Sequence, residues 1–218
     1  MVFKLKTESI IFRFVVAFLI ATFLFLFLFF VSYFISYSNY NIIKNQGNII
    51  NISISEIELL GNISSCEPDV LLIASDKLDI SSSRLRLLEE EFGKTDVRVL
   101  EQKKIYSNLM FKHFLLVKKE NLYCEQGFAT IIFFYSNIGE LEKESERMGF
   151  ILSRFKANYP NKVMIYSFDY DLDYDIINKL KEEYSINSAP LVLINEGLLL
   201  YVGNIDDLEN IVFEANKQ

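Results

Sequence analysis

The chain opens with a dense apolar block. Phe14 to Val31 carries one polar side chain, Thr22, and Tyr33, Phe34 and Ile35 prolong the run. That matches the roughly 20 residues a helix needs to cross a bilayer. A cleaved signal peptide is the rival reading. Its apolar region is normally about 7–15 residues and ends at a small-residue cleavage site. Ser36-Tyr37-Ser38 imitates such a site poorly, and the run here is longer. Lys4, Lys6 and Arg13 precede the block, and the next basic residue is Lys44. This bias predicts an uncleaved anchor over 1–37. It touches membrane lipid through residues 14–35, with the N-terminus cytoplasmic and the body extracytoplasmic. Tyr33 and Tyr37 fall where interfacial aromatics are expected.

The pattern loosens over 38–125. Isoleucines mixed with Asn, Ser and Glu between Asn39 and Leu60 fit either a helix leaving the membrane or a partly ordered stalk. Val70 to Ala74 reads as helical. Ser81, Ser82 and Ser83 offer N-caps for a helix through Leu85, Leu88 and Phe92, with Gly93 as its C-cap. A longer helix is expected from about Asp96 to Leu122. Together these make a small helical hairpin module.

From Thr130 the period changes. Thr130–Tyr135 and Val163–Phe168 read as buried parallel strands. Asn137 with Glu140 has the spacing of a capping box for the helix between them. Asp175 is placed to cap a second helix. Leu191–Ile194, a turn at Asn195-Glu196-Gly197, and Leu198–Val202 form a hairpin. Asp206 and Glu209 form another capping-box pattern before a last helix. The expected order over 126–218 is β-α-β-α-β-β-α, an α/β fold.

Composition narrows the functions. The formal charge of −7 argues against nucleic acid, which needs clustered Lys and Arg. One histidine and two cysteines do not supply the three or four convergent ligands of a Cys/His metal site, although a carboxylate site stays open, and no cofactor is implied. Asp169, Asp171, Asp173 and Asp175 imitate the start of a calcium loop. The positions for the turn glycine and distal glutamate hold Tyr174 and Leu180, so a solvated loop is expected. Asn51-Ile-Ser and Asn62-Ile-Ser fit the glycosylation pattern where a host modifies that side of the membrane. His113 lies among apolar helix positions and reads as a hydrogen-bonded packing residue.

Cys66 and Cys124 flank the helical module. Such spacing outside the cytoplasm favours a disulfide staple, with a redox-active pair as the alternative.

The stretch Tyr184-Ser-Ile-Asn-Ser-Ala-Pro190-Leu-Val-Leu-Ile-Asn195-Glu-Gly197, with the element order around it, resembles the thioredoxin superfamily. The layout also resembles prokaryotic membrane-anchored thioredoxin-like proteins. The resemblance implies a cis Ala189–Pro190 bond beside a peptide-binding groove. It places the family's paired thiols at Gly139 and Glu142, or at Glu142 and Ser145, and no cysteine stands there. Thiol exchange needs an attacking thiolate and a resolving thiol, and a serine without a base is a poor substitute. The expectation is a redox-inactive, non-catalytic module that binds a protein or extended peptide. The alternatives are an oxidoreductase working through Cys66 and Cys124, and an assembly subunit whose anchor is its essential part.

Overall fold

The computed structural model describes residues 12–38, 66, 68–124, 127–160 and 162–214. The expected stalk and the sites at Asn51 and Asn62 lie outside them. The chain divides into two compact units, Met1–Asn48 and Ile49–Gln218.

In the first unit, helix α1 (Phe12–Ser38) contains an 18-residue stretch of mean hydropathy 3.0 and is long and apolar enough to cross a membrane. Its side chains face outward along its whole length. Thr22 donates its hydroxyl to the Phe18 carbonyl at 2.9 Å, so this polar group is satisfied within the helix. A lipid environment demands such internal pairing.

The second unit begins with a helical hairpin, α2 (Pro68–Phe92) and α3 (Val97–Tyr123). Ser81 to Ser83 do not start a helix; they lie inside α2. Ser81 Oγ donates to the Lys77 carbonyl at 2.8 Å, so its hydroxyl bonds within the helix it was expected to cap. Gly93 does end α2. It sits at φ +86°, where a side chain is strained, and donates to the Glu89 carbonyl. Asp96 then caps α3 by accepting from the Arg98 N–H at 2.9 Å. Cys66 and Cys124 are bonded and close the open end of the hairpin, with Cα atoms 5.4 Å apart.

The remaining elements are β1 (Ala129–Tyr135), α4 (Glu140–Asn158), β2 (Val163–Asp169), α5 (Asp175–Glu183), β3 (Leu191–Ile194), β4 (Leu198–Leu200) and α6 (Ile205–Glu214). The sheet order is β2-β1-β3-β4. β1 and β2 are parallel, with Ile131 opposite Ile165. β3 runs antiparallel to both neighbours, with Phe133 opposite Val192 and Leu193 opposite Leu199. Both faces of β1 are covered, which is why it reads as a continuous apolar run. Ile131 and Phe133 pack with Met148, Leu152 and Phe155 of α4 and Leu208 and Val212 of α6. Ile132 and Phe134 pack on the other face with Ile177 and Leu180 of α5 and Met110 and Phe114 of α3. The hairpin therefore supplies part of the second core layer.

Three caps differ from expectation. Gly139, at φ +58°, starts α4 without a side-chain cap. Tyr174 precedes α5, leaving Asp175 as its first helical residue. Asn204, just before α6, accepts from the Asp207 N–H at 2.9 Å, taking the role assigned to Asp206.

Candidate functional site

The carboxyl ends of parallel strands are the usual place for ligands in an open α/β sheet. Here β1 ends at Tyr135 and β2 at Asp169, joined to a cleft of about 410 Å³. Val97, Leu100, Ile138 and Leu172 give it apolar walls, and Lys94, Asn137 and Asp171 bring polar groups.

The polar groups at this end are paired with one another. Ser136, the first residue after β1, donates its N–H to Ser145 Oγ at 2.9 Å and its hydroxyl to Asp171 Oδ2 at 2.6 Å. Its oxygen accepts from the Ile138 N–H at 3.1 Å. Asn137 does not cap α4 but turns inward and donates to Asp169 Oδ2 at 2.8 Å. Asp169 is also held by Lys103, whose Nζ lies 2.7 Å from Oδ2. The same ammonium lies 3.3 Å from Glu89 Oε1. Lys103 is 2% exposed, so α3 drives a cation into the end of the sheet between two carboxylates. Burial, together with the Asp169 and Glu89 charges, pushes the adjoining Tyr135 hydroxyl well above its ordinary range. Burial also raises Tyr106, which a hydrogen bond from Ser82 partly offsets.

The residues at which the resemblance would place thiols have other work. Gly139 supplies a left-handed turn. Glu142 pairs with Lys94 at 2.7 Å, and that hydrogen bond lowers its pKa. Ser145 is buried and accepts the Ser136 N–H just past β1. Ala189 and Pro190 are joined by a cis bond and both are buried. They precede the Phe134–Leu191 pair, so the start of β3 lies beside the end of β1.

Cys66 and Cys124 do not join this cluster. Cys124 ends α3 shortly before β1 begins, whereas the cleft lies at the far end of that strand. A seven-residue strand spans roughly 20 Å. The four aspartates diverge as well. Asp169 and Asp171 are engaged as above, Asp173 accepts from Asn178 at 3.0 Å, and Asp175 opens α5. His113 is a packing residue with two partners, Tyr166 hydroxyl at 2.8 Å from Nδ1 and Ser75 hydroxyl at 2.9 Å from Nε2. Burial, aided by the Lys156 charge, lowers its pKa to about 4.

The sequence reading missed Lys103, Glu89 and Ser136. One signal was present. Val99, Lys103, Met110 and Phe114 share helical spacing, which places Lys103 on the buried face of α3. Chemically, the cluster offers a salt-bridged ammonium and hydroxyls held in hydrogen bonds, and no thiol.

No protein-family model matches the chain, and no curated protein matches it.

Proposed function

We propose that the chain is a membrane-anchored, extracytoplasmic protein whose sheet domain is thioredoxin-like, lacks thiol–disulfide chemistry and binds a protein segment. The sheet order, the cis bond ahead of β3 and helices on both faces support the fold assignment. The basic residues ahead of the apolar run of α1 support the orientation. One observation carries the functional reading. At the β1–α4 junction, where the resemblance would place a thiol pair, stand Gly139, Glu142 and Ser145, with Glu142 held by Lys94 and Ser145 by the Ser136 N–H.

Burial of Ala189 and Pro190 moves the proposed contact from the groove beside them to the sheet edge. β4 is an edge strand with only β3 beside it, and Leu198, Leu199 and Tyr201 are exposed there. An extended segment adding to β4 would gain main-chain hydrogen bonds and cover these side chains.

A second reading rests on the exposure of Cys66. It makes the chain an oxidoreductase acting through Cys66 and Cys124. The deciding assay follows reduction of a disulfide substrate by the full chain in lipid nanodiscs. The binding reading expects no turnover beyond that of a Cys66→Ser/Cys124→Ser variant. Turnover abolished in that variant would establish the oxidoreductase instead. A photo-crosslinking residue at Leu199 then tests the edge. Adducts in native membranes are expected at Leu199 and not at Lys179 on α5. Equal yields at both positions would remove β4 as the contact.

A further inference from the structure

Glu120 lies in the last turn of α3 and is 4% exposed. Its carboxylate has no hydrogen bond or ion pair among the described residues. Other carboxylates of the hairpin and α4 do find partners, as Glu89 does with Lys103 and Glu142 with Lys94. A buried carboxylate without a partner is costly, so this one calls for an explanation.

The explanation lies beside it. One carboxylate oxygen of Glu120 and the sulfurs of Cys66 and Cys124 all lie within 4.8 Å of one another. Cys124 is four residues beyond Glu120, hence on the same side of the helix axis. Cys66 comes from just ahead of α2, on the other arm of the hairpin, and is an exposed residue.

We propose that, once the Cys66–Cys124 bond is reduced, Cys66, Cys124 and Glu120 bind one zinc ion. Two thiolates and one carboxylate are a donor set suited to Zn²⁺, whereas Ca²⁺ and Mg²⁺ prefer all-oxygen shells. Bonds of about 2.3 Å to sulfur and 2.0 Å to oxygen place tetrahedral ligand atoms roughly 3.3–3.8 Å apart. Reduction frees the two bonded sulfurs to separate to that spacing, and the Glu120 oxygen, within 4.8 Å of both, closes on them. Water completes the fourth position.

The chemistry balances in two steps. An external dithiol supplies two electrons and two protons, becomes a disulfide itself, and leaves Cys66 and Cys124 as thiols. Zinc then binds both sulfurs, and two protons leave to solvent. The Glu120 carboxylate gains the cation it lacks in the oxidised form. The open end of the hairpin is thereby cross-linked in either redox state, by a covalent bond or by a metal.

The test uses the full chain in detergent micelles, reduced with a phosphine, and titrated with Co²⁺ as a coloured substitute for Zn²⁺. Reduced protein is expected to show sulfur-to-cobalt charge-transfer bands saturating at one ion per chain, bleached by added Zn²⁺. Oxidised protein and the Cys66→Ser variant are expected to show none. Glu120→Gln is expected to weaken binding at least about tenfold, since it removes a ligand. Glu120→Gln should be no less stable than wild type to denaturant when oxidised, which shows that its lost affinity is not misfolding. Cobalt binding by reduced wild type no tighter than by Cys66→Ser/Cys124→Ser would overturn the proposal. Affinity unchanged in Glu120→Gln would overturn it equally.

Discussion

Two buried residues set the sharpest expectations for single substitutions. Lys103 is the cation between Asp169 and Glu89. Lys103→Ala leaves those carboxylates without it, and removing one member of a buried pair costs roughly 3–5 kcal/mol. Denaturant unfolding of the full chain in micelles should show that loss. Lys103→Met combined with Asp169→Asn removes both charges and should recover most of it. A double variant as unstable as Lys103→Ala would mean that packing, not charge, fixes this corner. His113 gives a pH dependence. Its folded pKa of about 4 lies below the ordinary histidine value. The unfolded chain therefore takes up the proton first as pH falls. Stability is fully present above about pH 6.5 and declines toward pH 4, by about 3 kcal/mol in all. His113→Gln should lower the plateau and remove that part of the slope.

The elements were more legible than their ends. β1, β2 and β3 announce themselves because strands covered on both faces must be apolar throughout. Caps depend on side-chain geometry that spacing does not contain. Asn137 has the spacing of a cap, but Asp169 offers its amide a buried partner, and that bond draws it inward. Ser81 to Ser83 read as a helix start because serine competes well for backbone groups; inside α2 Ser81 makes that bond to Lys77 without breaking the helix. The two roles predict different losses. Asn204→Ala removes a cap and should cost about 1 kcal/mol. Ser81→Ala should cost clearly less than that cap value of about 1 kcal/mol. Thermal unfolding midpoints of the two variants compare them directly. The candidate site was legible only in what it lacks. That no thiol stands at Gly139, Glu142 or Ser145 is plain in the sequence, whereas the Lys103–Asp169 pair joins positions 66 residues apart and has no local signature.

For the whole molecule, the hairpin and the sheet share one core layer, since Met110 and Phe114 pack among Phe134, Tyr166 and Phe168. The second unit should therefore unfold in one transition. The Cys66–Cys124 bond closes a long loop whose ends are 58 positions apart. Chain entropy gives it a contribution of roughly 4 kcal/mol. Compared with oxidised wild type, Cys66→Ser/Cys124→Ser protein should lose about that much while keeping a single transition by circular dichroism. Two separated transitions would show that the hairpin and sheet fold independently.

The seam between α3 and the sheet also governs how the chain can be cut. Because α3 covers one face of β1 and β2, residues 127–218 made alone would present Ile132, Phe134 and Tyr166 to water and would aggregate. The hairpin made alone would strand Met110 and Phe114 in the same way. Mixed together, each piece holds the surface that the other needs. The protein is thus suited to reassembly from two fragments broken between Cys124 and Gly127, in which recovery of the folded form depends on concentration rather than on a continuous backbone.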